Sequence, residues 1–268
     1  MLPTPDILVV KVGGRVVDDD ASRARLIEAL ASREGRVVLV HGGGAAASAL
    51  TRALGREPVM IDGRRVTSAE DLRVAVMVYA GWTNKLLVAE LAAAGRPALG
   101  LSGADGDLVR ARRRPVTPAG VDFGFVGDVE RVNAPLALRL LGGGLTPVAC
   151  ALSHDGAGQL LNTNADTIAA ELAAALAEAG EAVTLFGCLD KPGVLLDPDD
   201  DASAADRLSE ADYFALREAG RVHSGMLPKL DTAFAARERG VTRVILGGVG
   251  GLAALTGTEL VAPATGMG

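Results

Sequence analysis

Aromatic side chains are scarce in this chain of 268 residues, which has one Trp, two Tyr and five Phe. Their scarcity excludes the stacked aromatic platforms that hold single-stranded nucleic acid and leaves the core to aliphatic side chains. Cysteine is nearly absent. Cys150 and Cys188 lie in apolar runs with neither disulfide nor metal spacing, so both read as buried, inert thiols. A net charge of −6 and a pI near 5.2 exclude a broad attraction to nucleic acid or anionic lipid. No apolar stretch approaches the roughly 20 residues needed to span a bilayer. The start of the sequence also lacks a basic segment followed by an apolar one. The expectation is a cytoplasmic protein that binds neither membrane nor nucleic acid. Two phosphate-binding signatures are missing as well. There is no G-x-x-x-x-G-K-S/T, and no G-x-G-x-x-G follows the first apolar run, which weakens the P-loop and dinucleotide-binding readings alike.

What is present describes an α/β protein of one large domain or two closely joined lobes. Residues 7–12, 37–40, 98–101, 146–152, 183–186 and 243–246 form short, nearly continuous apolar runs of the kind that parallel strands buried on both faces leave in a sequence. Between them, helical spacing or composition predicts helices over 21–31, 45–54, 70–94, 134–141, 162–179, 209–219 and 226–239. Residues 110–132, punctuated by Pro and Gly, read as an antiparallel hairpin. Its arginines, Arg110 to Arg114, suit either a solvated sheet edge or a patch that contacts an anion or a partner. The acidic run 197–201 reads as a solvated loop rather than a calcium site. The polar segment 178–181 sets a lobe boundary near residue 182.

Lys11-Val12-Gly13-Gly14 closes the first strand, at the sheet edge where open α/β folds place their ligands. His41-Gly42-Gly43-Gly44 closes the second. Two adjacent glycine-rich turns supply a cradle of backbone N–H donors, here beside a lysine, suited to a phosphoryl group. Lys229, in Ser224-Gly225-Met226-Leu227-Pro228-Lys229, offers a second cation at a helix start in the later lobe. Bringing a phosphoryl donor to a carboxylate acceptor requires neutralisation of two anions, which a lysine from each side accomplishes. Asp166, in Asn162-Thr163-Asn164-Ala165-Asp166, can orient both lysines, while Asn162 and Asn164 serve either as substrate contacts or as plain helix caps. In Gly63-Arg64-Arg65-Val66-Thr67 an arginine is available to clamp a carboxylate.

These motifs occur in one order along residues 6–246, together with Asn84-Lys85, G-L-S-G-A-D-G, V-G-D-V and D-K-P-G-V. In that order they resemble the amino acid kinase family, most closely its branch that phosphorylates free N-acylglutamates. The resemblance implies an open αβα sandwich around a mostly parallel sheet, with the acyl-amino-acid site and dimerisation in lobe 1–182 and ATP in lobe 183–268. It implies Lys11, Lys229 and Asp166 as catalytic residues and Gly13, Gly14, Gly43 and Gly44 as phosphoryl contacts. Arg65, Asn162 and Asn164, with Gly43 and Gly44, would bind the N-acylated glutamate. Lys11, Asp190, Gly225, Met226 and Lys229 would bind ATP, with Mg²⁺ arriving on the nucleotide rather than at a protein metal site. Ala104 stands where many relatives carry Lys, and the glycine-rich tail after Leu246 matches poorly. The family's arginine-inhibited hexamers carry an N-terminal helical extension not seen here, so a homodimer without arginine feedback is implied. A kinase for aminoadipate or glutamate on an acidic carrier protein is the main alternative, and a non-catalytic ATP or amino-acid sensor the next.

Overall fold

In a computed structural model that describes residues 6–61, 64–197, 199–222 and 225–262, strand β1 (Ile7–Val12) is buried along its whole length. It is the hub of the molecule because a parallel neighbour lies on each side of it. The chain continues through α1 (Gly14–Asp18), α2 (Asp20–Ala31), β2 (Arg36–His41), α3 (Gly44–Ala53) and a two-stranded ribbon, β3 (Met60–Ile61) and β4 (Arg64–Arg65). Helix α4 (Ala69–Ala75), a π-helical stretch over Val76–Thr83 and α5 (Asn84–Ala93) follow as one continuous helix, its junction residues all in the α region. Then come β5 (Ala98–Leu101), β6 (Val109–Arg113), β7 (Gly127–Val132), α6 (Ala134–Gly142), β8 (Thr146–Cys150), β9 (Leu152–His154), β10 (Leu160–Asn162) and α7 (Ala165–Glu178). The last elements are β11 (Val183–Leu189), β12 (Arg207–Ser209), α8 (Glu210–Glu218), α9 (Leu227–Glu238), β13 (Arg243–Gly248) and β14 (Thr258–Val261).

Eight strands form one sheet in the order β12-β14-β13-β11-β1-β2-β8-β5, parallel throughout except where β14 runs against β13. The mostly parallel sheet expected from the apolar runs is therefore present, and it is continuous across residue 182. β1 is the switch point. Elements up to α7 build outward on its β2 side, and everything from β11 onward builds on the other. Alternation along β1 sends Ile7 and Val9 into a core with α4, α6, α7 and α9, and Leu8, Val10 and Val12 into a second core with α2 and α5. The helix over 69–93 belongs to both cores. Leu72, Val74 and Val78 pack in the first, Leu87 and Leu91 in the second, so this helix passes the end of the sheet at its π-helical turn.

Several sequence-based boundaries need correction. The helix expected from residue 162 starts at Ala165. Asn162 ends β10, with its N–H bonded to the Phe125 carbonyl and its side chain to Thr67, while Asn164 is the cap, its Oδ1 accepting from the N–H of Asp166 and Thr167. The strand expected over 146–152 divides at Ala151, where the chain leaves the large sheet for a small one of order β10-β9-β6-β7. The arginine-rich strand β6 pairs with β7 along its length and with β9 only at Arg110, so it is interior at one end, while Arg112 and Arg113 are exposed as a solvated edge would be. Arg110 pairs with Asp107, Arg113 with Asp122 and the Gly124 carbonyl, and Arg114 with Asp128. Gly63 and Ser224, members of two of the motifs, lie outside the described residues.

Leu39 of β2 is fully buried in the second core. Leu39→Ala should lower unfolding free energy by about 2–5 kcal/mol through lost burial and the cavity left behind. Urea denaturation checks this, with the midpoint shifting at unchanged m-value.

Candidate active site

Lys11 continues the Ile7–Val9 face of β1, so its side chain enters the layer occupied by α7. The apolar strand that carries it leaves the residue only 5% exposed. Asp166, in the first turn of α7, lies over the carboxyl end of β1. Lys229, in the first turn of α9, comes to the same place because α9 packs beside α7. The Lys11 Nζ is 2.8 Å from Asp166 Oδ1, and the Lys229 Nζ is 2.9 Å from Asp166 Oδ2. One carboxylate thus holds two ammonium groups, Lys11 on Oδ1 and Lys229 across both oxygens, 3.2 Å from Oδ1.

The electrostatics follow from that geometry. Burial alone would raise the Asp166 carboxyl, but the Lys11 and Lys229 charges outweigh it and hold the group below the usual carboxylate range. Burial pulls Lys229 down, and Asp166 more than restores it, leaving the ammonium above its ordinary value. Burial dominates at Lys11, which lies below its ordinary value despite Asp166, with Lys229 adding repulsion. The trio is a concentrated positive site with its like charges already reconciled.

Two cavities open on either side of it. The first, about 620 Å³, is bordered by Gly43, Gly44, Arg65, Asn162, Asn164 and Asp166; the second, about 540 Å³, by Asp190, Val194, Leu195, Gly225, Met226 and Lys229. Lys11, Gly13 and Gly14 line both. The two glycine turns touch, since a Cβ on Gly14 would sit 3.6 Å from the backbone nitrogens of Gly44 and Ala45. Gly43 has no room for one at all. A Cβ there would come within 2.7 Å of the Tyr79 ring, which packs against the turn from the π-helical stretch. Such wide turns interrupt α-helices frequently at functional sites.

Each catalytic, phosphoryl, substrate and ATP residue that the resemblance implied borders one cavity or both, whereas His41, Asn84 and Lys85 of the accompanying motifs border neither. Arg65 is buried, donating through one terminal nitrogen to the Gly44 carbonyl at 3.0 Å and to Ser48 Oγ at 2.5 Å. Asn164 caps α7 and also lines the first cavity. Asp190 pairs with Arg15 at 2.6 Å on the rim of the second. Sequence reasoning missed Tyr79, Ser48 and Arg15 as cavity-lining residues. A period-3.6 reading of residues 70–94 hides the π-helical turn that aims Tyr79 inward, and only the tight fit at Gly43 signals it.

A model of the amino acid kinase family matches residues 6–248. Curated proteins similar to the chain include the acetylglutamate kinase of Parabacteroides distasonis, 48% identical over 90% of this chain and 93% of its own length, and that of Methanopyrus kandleri, 43% identical over 93% and 98%. Among solved structures, N-acetylglutamate synthase from Neisseria gonorrhoeae, complexed with coenzyme A and N-acetyl-glutamate, superposes at a TM-score of 0.82 with 24% identity. This chain spans 60% of that protein, and the match covers 97% of this chain. Carbamate kinase from Giardia superposes at 0.65 with 13% identity, covering 96% of this chain and 99% of its own. Both likenesses bear on the fold alone.

Because Asp166 is held below its ordinary value, its stabilising contribution is complete above the unfolded carboxyl's pKa of about 3.9 and is lost as pH falls through the lower folded value. Asp166→Asn should therefore lower stability at neutral pH, by on the order of 3 kcal/mol for an orphaned buried charge. It should also flatten the loss of Tm between pH 5 and pH 2 relative to the parent, on the order of one carboxyl group's worth. Thermal melts across that range check both.

Proposed function

The chain belongs to the amino acid kinase family, and from that membership we propose that it transfers the γ-phosphoryl group of ATP to the side-chain carboxylate of an N-acylated glutamate, N-acetyl-L-glutamate. The observation that carries this reading is the Lys11–Asp166–Lys229 trio at the junction of two cavities. The product is an acyl phosphate, as an early step of arginine biosynthesis requires. The first cavity, bordered only by residues before 182, takes the amino acid. The second, bordered by the first turn and by residues 188–229, takes ATP.

The reaction forms a bond from the acceptor carboxylate oxygen to the γ-phosphorus and breaks the bond from that phosphorus to the oxygen bridging to the β-phosphate. No proton moves, because the acceptor is already ionised and ADP leaves as an anion. The protein's work is to position reactants and neutralise charge. Lys11, shared by both cavities, faces the transferring group from the acceptor side, together with the amides of Gly14, Gly43 and Gly44. Lys229, on the nucleotide side, offsets the charge that builds toward the β-phosphate as ADP departs. Asp166 keeps both ammonium groups aimed at the gap. Arg65 selects the glutamate α-carboxylate, and Asn162 and Asn164 face the acylamino group. Magnesium enters as part of MgATP, held by the phosphates. The carboxylates around the cleft are each engaged with cations: Asp166 with the lysines, Asp190 with Arg15 and Asp128 with Arg114.

The carrier-linked alternative is not favoured. Curated relatives at 42–48% identity are named acetylglutamate kinase, and three of the four arginines in 110–114 already bind neighbouring groups instead of offering charge to an acidic carrier. A cytoplasmic homodimer completes the reading. The edge strand β5 exposes Leu99, and the helix packed on it exposes Met77 and Trp82, the latter 72% accessible. Exposed apolar groups on an unpaired strand and its covering helix suit a second copy. Among the described residues, no helix is long and apolar enough to cross a membrane.

An ADP-release assay with free N-acylglutamates tests the central claim; absence of turnover with every one of them overturns it. Lys11→Ala and Lys229→Ala should each cut kcat by on the order of 10²-fold or more while the fold persists. Arg65→Ala should raise KM for the amino acid about tenfold or more and leave KM for ATP nearly unchanged. Light scattering of Trp82→Glu should report a monomer where the parent reports a dimer.

A further inference from the structure

His41 belongs to the glycine-rich turn but not to the cleft. Alternation along β2 places it on the Leu39 face, toward α5, and it is fully buried there. Its Nδ1 is 2.8 Å from the Gly42 carbonyl oxygen and its Nε2 is 3.0 Å from the Asn84 Nδ2. A carbonyl only accepts, so Nδ1 carries the ring hydrogen and Nε2 must receive one. Asn84 supplies it. The orientation of the Asn84 amide is fixed independently, because its Nδ2 also donates to the Val148 carbonyl at 2.9 Å while its Oδ1 accepts from Lys85 Nζ at 3.1 Å. Lys85 reaches on to the Gly100 carbonyl at 3.3 Å. Each polar atom from Lys85 to Gly42 therefore has one consistent assignment. The backbone leaves room for the relay only because residue 100 is glycine; a Cβ there would lie 1.9 Å from Asn84 Oδ1.

We infer that Lys85 and Asn84 are positioning residues for phosphoryl transfer: they fix the Nδ1–H form of His41, whose ring N–H holds the Gly42 carbonyl and so aims the peptide groups of Gly43 and Gly44 into the cleft. If the Asn84 amide turned over, its oxygen would face Nε2 and draw the hydrogen there. The bare Nδ1 lone pair would then oppose the Gly42 carbonyl, and the turn would shift. Two groups oppose that rotation: the Val148 carbonyl, which would then face the amide oxygen, and Lys85, which binds that oxygen. Burial keeps the ring neutral, pushing His41 down to about 4, so the relay depends on tautomer and not on charge. Tyr79, from the same continuous helix, packs on Gly43 and constrains the turn at its next residue.

The tautomer is readable without substrate, which separates this inference from the kinase reading it builds on. The chain has three histidines, so nitrogen–proton correlation spectra of the imidazole rings are simple, and His41→Gln identifies the relevant signals. The parent should show a protonated Nδ1 at His41. Lys85→Met removes an exposed side chain's ammonium group and should leave the fold intact. With the Val148 carbonyl still holding the amide nitrogen, it should raise the Nε2–H population above the parent's without reaching a full switch, and reduce kcat by about 3- to 10-fold, with KM for ATP and for the acylglutamate moving less than about twofold, as expected for a misaimed turn. Lys85→Arg, which keeps a donor, should return both readouts toward the parent. A parent with Nε2–H overturns the inference. So does Lys85→Met with either readout unchanged. If the parent turns over no acylglutamate, the kinase reading falls, and the ring-nitrogen pattern still decides whether the relay sets the tautomer.

Discussion

A single carboxylate holding two ammonium groups is the constraint on which this molecule depends. Lys11 lies on the central strand, Asp166 at the start of the most buried helix, and Lys229 on a helix of the later half. Two cations close together, Lys11 buried and Lys229 partly so, repel and lose hydration, so without Asp166 the site would shed a proton or its shape. With it, three elements from distant parts of the sequence are fastened where the two cavities meet. The chemistry and the junction between the halves of the sheet are thus one interaction.

The same trio explains what the site does without. Its acceptor is an anion before the reaction starts, so no side chain has to remove a proton. Cys188 lines the second cavity, yet neither it nor the nearby His41 and Cys150 is set up to act as a base or nucleophile. His41 is occupied by Asn84 and Gly42, and the Cys150 and Cys188 thiols are buried and pushed up to about 12. Preorganised cations and peptide dipoles remain, which is the arrangement that lowers the barrier when charge is redistributed between oxygens across a phosphorus.

Much of this was legible because of how parallel sheets write themselves into sequence. Strands covered on both faces need apolar residues at every position, so a lysine in the run Ile7–Val12 stands out, and glycines ending two such strands point to the ligand edge. The order of motifs then carried the assignment further than any one of them. The illegible parts are those where one local pattern serves two structures. A π-helical turn has the composition of the α-helix around it, so the inward aim of Tyr79 was hidden. Asn162 and Asn164 are both good caps, and only the pairing of β10 with β9 decides that Asn164 caps while Asn162 stays in the strand. The ion pairs of Arg110, Arg113 and Arg114 were not legible because their partners, Asp107, Asp122 and Asp128, approach from the turn and strand around them.

The two sides of the cleft are built with different stiffness, and the difference suits the amino acid and the nucleotide proposed to occupy them. On the side of the first cavity, proposed for the acceptor, Arg65 is buried and braced on Gly44 and Ser48, Tyr79 fills the space against Gly43, and the His41 ring bonds the Gly42 carbonyl from behind. A small amino acid recognised at both ends gains from such a preformed site, because little ordering remains to be done on binding. On the nucleotide side, the rim is held by exposed ion pairs, Arg15 with Asp190 and Lys191 with Asp201. Pairs in water are weak and exchange partners readily. A triphosphate entering there can draw Arg15 away from Asp190 at little cost, whereas drawing Lys11 or Lys229 from Asp166 would undo a buried network. The fold therefore yields at its rim and holds at its centre, where the reacting atoms must stay aligned.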